Sequence, residues 1–96
     1  MWWPSERTRQ GWINKLSNDE QEIIETHAEA HKREKHFNEH LNTSELRIVF
    51  FYHRDILGLT SYKFKGLFAY DNEKSRPEIG TVWRRIDDKI NIDLID

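Results

Sequence analysis

The sequence YKFKGLFAYDNEKSRPEIGTVWRRI, residues 62–86, predicts a β-hairpin with a charged connector. YKFKGLFAY is rich in aromatic residues that alternate with other types, which is typical of a strand, and Gly80 to Ile86 forms the second strand. The residues between them, 71–78, are too polar to be buried and predict an exposed loop. Gly66 interrupts the first strand and indicates a β-bulge or a close approach of two backbones.

Alternation along the first strand divides its side chains between two faces of the sheet. Four aromatic residues are expected to face the core: Tyr62, Phe64, Phe68 and Tyr70. Lys63 and Lys65 fall on the opposite face, which is the candidate for an exposed functional surface.

Two further strands are predicted on either side of the hairpin. LRIVFFYHR, residues 46–54, is β-branched and aromatic and is apolar on both faces until its end, which is typical of a central strand. INIDLI, residues 90–95, alternates apolar and polar residues and predicts a half-buried edge strand.

The N-terminal half reads instead as helical. Ser5 can cap a short helix, and the sequence SNDE, from Ser17 to Glu20, is typical of a capping box at the start of a long helix over about 18–41. The sequence therefore predicts an α+β fold in which two N-terminal helices pack on a four-stranded antiparallel β-meander. Residues 1–96 are expected to form a single domain, with a helical part at 5–41 and a sheet part at 46–95.

Composition restricts the classes of function. The chain has 96 residues, a net charge of −2 and no cysteine, so it has neither disulfides nor a cysteine nucleophile. No apolar run approaches the roughly 18–20 residues of a membrane span, and the N-terminus lacks the charge order of a signal peptide. We expect a cytoplasmic protein without a membrane partner.

Positive charge is concentrated on the predicted strands. Residues 46–85 carry eight Lys and Arg against four Asp and Glu, whereas both flanking parts are acidic. Cations neutralise phosphates, and aromatic rings stack on unpaired bases at about 1–3 kcal/mol each. These properties identify six candidate nucleic-acid-binding residues: Arg47, Lys63, Lys65, Trp83, Arg84 and Arg85. A solvated polar sheet face would explain the same pattern.

The histidines offer a second candidate site. In the predicted long helix, His27 and His31 would share one face with Glu34, and two imidazoles with a carboxylate can bind zinc or iron. The segment HAEAH resembles the zincin motif only loosely, because its Glu stands one position too late. A site of this kind also needs further ligands from elsewhere, so the favoured interpretation is a polar helix face with no metal and no cofactor.

The hairpin also carries a family resemblance. The pattern FKGLFAYDNEKS…GTVWRRI, with RIVFFYHR before it, resembles a segment of restriction-type bacterial and prophage proteins associated with HNH or GIY-YIG nucleases. The matching residues are Tyr62, Phe64, Gly66, Phe68, Asp71, Ser75, Trp83, Arg84, Arg85 and Ile86. The resemblance covers residues 46–86 and implies an accessory or DNA-recognition module. Neither nuclease motif is present, so it does not imply cleavage. The overall architecture is also broadly similar to that of RelE-type RNase toxins.

These observations favour a small non-enzymatic nucleic-acid-binding or accessory module of a bacterial mobile-element or defence-related protein. One alternative is a protein-interaction factor, such as an inhibitor, an antitoxin or a phage counter-defence protein, that uses Trp2, Trp3 and the predicted acidic helix. A second alternative is a RelE-like RNase toxin. The partner is thus nucleic acid or protein, and an exposed fourth strand would permit a dimer.

Overall fold

The computed structural model describes residues 2–4, 10–54 and 57–89. These residues form five strands and one helix: β1 (Trp12–Leu16), β2 (Glu22–His27), α1 (Ala30–Glu39), β3 (Leu46–Arg54), β4 (Thr60–Tyr70) and β5 (Thr81–Asp87). The strands make one sheet in the order β1-β2-β5-β4-β3, and every neighbouring pair is antiparallel. No helix in this part of the chain is long and apolar enough to cross a membrane.

The predicted hairpin and the strand before it are confirmed. β3, β4 and β5 coincide with the predicted strands to within two residues at each end. The connector is mainly exposed, with one exception, Ser75, which is buried. Its hydroxyl accepts a hydrogen bond of 2.8 Å from the backbone N–H of Val82 and so ties the connector to β5.

The prediction of two N-terminal helices on a four-stranded meander is wrong. Residues 12–27 instead form the β1–β2 hairpin, which adds two strands to the sheet. Ser17 and Glu20 build its turn: the Ser17 N–H donates to the Glu22 carbonyl, and Glu20 adopts a positive φ of 60°. Short polar side chains that cap helices also stabilise turns, so the SNDE sequence fits both structures.

The single helix of the described residues, α1, is much shorter than the predicted one. It has ten residues, none of them buried, and begins three residues after the end of β2. Residues 5–9 of the predicted first helix and residues 90–95 of the predicted fourth strand lie outside the described residues.

One face of the sheet, here called the inner face, holds the core. Six residues with at most 6% exposure form its apolar cluster: Ile23, Val49, Phe51, Phe68, Tyr70 and Trp83. The helix α1 covers part of this face, where the His40 ring packs against Trp83 with 6.0 Å between ring centroids. Trp2 runs parallel to β3 and exchanges two backbone hydrogen bonds of 2.8 Å with it.

A β-bulge in β4 decides which side chains reach the core. Val49 of β3 pairs with Gly66, but the next residue, Phe50, pairs with Phe64, so Lys65 is an extra residue in β4. Gly66 has a φ of +122°, and a Cβ there would collide with the carbonyl oxygen of Asp87. The predicted bulge with a close backbone approach is therefore confirmed.

The same bulge shifts the alternation of side chains along β4. Phe68 and Tyr70 face the core, whereas Tyr62 is 46% exposed and Phe64 37% exposed on the opposite, outer face. The prediction that all four rings share one core face is wrong, because it assumed unbroken alternation through Gly66.

Candidate nucleic-acid interface

The six residues predicted to contact nucleic acid do not share one surface. Arg84 is exposed on the outer face, while Trp83, its neighbour in β5, is fully buried on the inner face. Lys63 is exposed, whereas Lys65 forms an ion pair of 2.8 Å with Glu20. This arrangement does not test whether any of the six residues contacts nucleic acid, so the six assignments stay predictions.

The two other arginines of the set are held by the protein itself. Arg85 donates a hydrogen bond of 3.2 Å to the carbonyl of Lys65. The guanidinium of Arg47 lies 3.7 Å from the ring centroid of Trp83 and 4.6 Å from that of Trp2. Only 13% of its side chain is exposed. Arg47 is thus part of the interior between two indole rings, a geometry that favours a cation.

Arg47 and three polar side chains beside it form what we call the inner polar cluster: Glu25, His36, Arg47 and Thr81. Its centre is the Glu25 carboxylate, which is 14% exposed. The Glu25 Oε1 accepts hydrogen bonds from His36 Nε2 at 2.8 Å, Thr81 Oγ1 at 3.1 Å and Arg47 Nη1 at 3.3 Å. Among the described residues none donates to Oε2, so one carboxylate oxygen is left for another donor.

The cluster keeps Glu25 ionised. Burial alone would raise the pKa of this carboxyl, but the hydrogen bond from His36 and the positive charge of Arg47 outweigh that effect. The pKa of Glu25 is therefore lowered below its ordinary value of 4.5. At neutral pH the group is a hydrogen-bond acceptor only.

A second acceptor lies next to Glu25 on the inner face. Asn14 of β1 pairs directly with Glu25 of β2, so the two Cβ atoms are about 4.5–5.5 Å apart on one side of the sheet. The Oδ1 atom of Asn14 is buried and finds no hydrogen-bond partner within the described ranges. A buried polar atom without a partner costs about 1–3 kcal/mol, which makes this atom a candidate for binding a ligand.

Trp12 completes the site at the end of β1. Its indole packs edge-on against the rings of His27 and His36, with centroid distances of 4.6 and 4.9 Å. Trp12 and Asn14 lie on the same face, because they are two residues apart on one strand. The site thus places an aromatic ring next to two oxygen acceptors, a combination that can bind a flat molecule carrying an amino group.

Neither Asn14 nor Glu25 was identified from the sequence as a site residue. Both lie in segments predicted to be helical, and a helix would not place them opposite each other. The available signal was the β-branched residues of EIIETH, because WINKL does not alternate apolar and polar residues.

The candidate metal site assumed that His27, His31 and Glu34 share one helix face, and this assumption is wrong. His27 belongs to β2, whereas His31 and Glu34 are exposed on α1, so the three do not share a helix face. The Nδ1 atom of His27 accepts from the Glu29 N–H, which leaves its Nε2–H to donate to the Gln10 carbonyl at 3.0 Å. Both nitrogens of His27 are therefore used. Over the described part of the chain, no three His, Asp or Glu residues are grouped to hold a metal ion.

Comparison with known proteins identifies a family to which this chain is similar. The family model described as "SRA: SET and RING associated domain" matches residues 1–92. The fold is also similar to the solved structure "The 5-Hydroxymethylcytosine-Specific Restriction Enzyme AbaSI", with a TM-score of 0.77 and 29% identity. The match covers 93% of this chain but 28% of that one, so this chain spans less than a third of the enzyme. No curated protein sequence matches.

These matches confirm the coarser part of the predicted function. SRA domains are DNA-binding modules, and the similarity to a restriction enzyme supports the restriction-type relationship that the hairpin resemblance implied. They give no support to the HNH, GIY-YIG or RelE parts of the predicted resemblance.

Proposed function

Because the chain belongs to the SRA domain family, we propose that it is the DNA-recognition module of a bacterial restriction-type defence system and that it reads a modified cytosine. The proposed base is 5-hydroxymethylcytosine, the modification named for the similar restriction enzyme. We assign recognition to this chain and leave cleavage to other parts of such a system.

The observation that carries the proposal is the pair of unused acceptors on the inner face, Asn14 Oδ1 and Glu25 Oε2. The 4-amino group of cytosine has two hydrogens and can donate one to each oxygen. Acidic side chains are known acceptors for this group, and a well-placed pair of hydrogen bonds to a base discriminates by about 1–3 kcal/mol. An acceptor pair next to Trp12 therefore suits a cytosine-type base better than a metal or an anion.

Access to this site requires the base to leave the DNA stack. Glu25 is largely buried and partly covered by α1, so it cannot project into a groove of the duplex. A target base that is extruded from the duplex brings its Watson–Crick edge to the protein, at a cost of a few kcal/mol. Stacking on an aromatic ring such as Trp12 offsets part of that cost.

Binding to the phosphate backbone would come from other residues. Residues 46–85 have an excess of positive charge, and exposed cations such as Lys63 and Arg84 are free of the inner polar cluster. Contacts of this kind position a protein on DNA without reading sequence, and they weaken as salt rises.

The test is equilibrium binding of the full chain to labelled duplexes that differ at one central base. We expect the duplex with 5-hydroxymethylcytosine to bind at least about tenfold more tightly than the one with unmodified cytosine. Asn14→Ala should weaken the binding of both duplexes by about tenfold or more, because both bases carry the 4-amino group that Asn14 is proposed to accept from. Asn18→Ala, which changes an exposed turn residue of the same type, is the matched control.

Equal affinity for both duplexes would overturn the proposed ligand. An Asn14→Ala variant that folds and binds both duplexes as tightly as the unaltered chain does would overturn the proposed site, because the 4-amino group would then be read elsewhere on the protein.

A further inference from the structure

Arg47, a cation of the positively charged strand region, is enclosed by its contacts. Apart from its two indole neighbours, its Nη2 atom contacts His40 Nε2 at 3.3 Å and Glu45 Oε2 at 3.4 Å. Its Nη1 atom donates to Glu25 Oε1. Since an arginine only donates, His40 Nε2 must accept, and His40 Nδ1–H then donates to the His36 carbonyl at 3.0 Å. Both terminal nitrogens of Arg47 are thus engaged inside the protein.

The contacts around Glu25 fix the orientation of its carboxylate. Donors reach Oε1 from three different elements: His36 from α1, Arg47 from β3 and Thr81 from β5. The Thr81 hydroxyl is itself held, because it accepts from the indole Nε1–H of the buried Trp83 at 3.2 Å. Because three donors hold Oε1, Oε2 is the carboxylate oxygen left to accept a hydrogen bond from a ligand.

We propose that Arg47, together with His36 and Thr81, is a positioning residue for base reading by Glu25 and does not contact phosphate. This inference rests on the proposed function and adds the origin of its specificity. A fixed, ionised carboxylate attracts the 4-amino group of a cytosine-type base and repels the 4-carbonyl oxygen of a uracil-type base. The inner polar cluster therefore sets the preference between these two classes of base.

The experiment compares duplexes that carry one 5-hydroxymethylcytosine or one 5-hydroxymethyluracil, two bases that differ only along the Watson–Crick edge, at the group on position 4 and in the hydrogen on N3. Affinities are measured for the unaltered chain and for Arg47→Met, over about 50–200 mM salt. Methionine keeps an unbranched side chain between the two indoles but has no charge. Arg84→Met removes one exposed arginine and is the matched control for loss of charge.

For Arg47→Met we expect the ratio of the two affinities to fall about tenfold, while the slope of affinity against salt stays the same. Loss of a phosphate contact would instead lower that slope by about one and leave the ratio intact. That second outcome, for Arg47→Met, would overturn the inference. Arg84→Met can change the slope and is expected to leave the ratio as it is.

A second pair of variants keeps the inference falsifiable if Arg47→Met fails to fold. Thr81→Val removes the hydroxyl at almost constant volume, and Thr81→Ser restores it. The affinity ratio should fall in the first and recover in the second, and an unchanged ratio in a folded Thr81→Val would count against positioning. If the unaltered chain itself shows no preference, the proposed function fails. If the unaltered chain shows the preference and the folded variants keep it in full, the positioning role alone fails.

Discussion

The two faces of the sheet have inverted chemistry. On the inner face, the side chains of Glu25 and Arg47 are at most 14% exposed. On the outer face, five rings form what we call the outer aromatic strip: Trp3, Phe50, Tyr52, Tyr62 and Phe64. Trp3 is 51% exposed, although large rings are usually buried and charges are usually solvated.

The difference in chemistry between the two faces points to the inner face as the candidate functional surface. Burying a charge costs several kcal/mol of desolvation, and a well-packed apolar core would often be more stable than a buried ion pair. The cost of the inner polar cluster calls for a role other than stability, and the proposed presentation of a carboxylate to a base would be such a role. Removing one member of the cluster should cost far more than removing a ring of the strip.

The largest expected effect is that of Glu25→Ala on the free energy of unfolding. The change leaves Arg47 and His36 buried without their anionic partner, so we expect a loss of about 3–5 kcal/mol in chemical denaturation. Glu25→Gln keeps the length of the side chain and one acceptor oxygen, and it should lose less. A loss below about 1 kcal/mol for Glu25→Ala would show that the cluster is not energetically distinct from the outer face.

A smaller effect is expected from pH. The pKa of Glu25 is lower in the folded protein than its ordinary value of 4.5, because His36 and Arg47 outweigh burial. The folded state therefore binds this proton more weakly than the unfolded state does. The stability that follows is present above about pH 4.5 and is lost as the pH falls through the folded pKa.

Unfolding free energies of the unaltered chain and of Glu25→Gln, measured from about pH 7 to about pH 3, check this sign. The advantage of the unaltered chain should shrink below pH 4.5. Asp19 and Glu29, whose pKa values are also lowered, are present in both proteins and cancel in the difference. A constant difference across this range would contradict the prediction.

The smallest effect is expected on the outer aromatic strip. Tyr62→Thr removes one ring of the pair with Tyr52, whose centroids are 5.3 Å apart, and keeps a residue that favours strands. Such cross-strand pairs contribute about 0.2–1 kcal/mol, so thermal and chemical denaturation should change by that amount or less. A loss as large as that of Glu25→Ala would remove the contrast between the faces.

The C-terminal half of the fold could be predicted because its signals are local. Aromatic and β-branched residues cluster in 46–54, and the polar connector separates two alternating segments in 62–86. Gly66 correctly indicated the bulge. The reversal of faces that the bulge causes was missed, because it depends on the pairing of Val49 with Gly66 and of Phe50 with Phe64.

The N-terminal half could not be predicted in the same way, because its local signals are ambiguous. Ser17 and Glu20 fit a helix start and a hairpin turn equally well, and only pairing of β2 with β5 decides between them. The candidate site combines residues from the predictable C-terminal half and the unpredictable N-terminal half. Arg47 was predicted from charge as a nucleic-acid contact, which stays a prediction. The role now proposed for it involves Glu25, whose neighbour Asn14 comes beside it only once β1 and β2 pair.

The backbone pairing of Trp2 with β3 has a consequence for where this unit can be cut. Trp2 shields the margin of β3 with its main chain and closes the indole sandwich around Arg47 with its ring. A truncation that removes Trp2 would thus expose the edge of β3 to association with other chains. It would also remove one of the two indole rings that enclose Arg47. Any polypeptide joined ahead of Trp2 would therefore enter this unit beside Arg47 and the inner polar cluster.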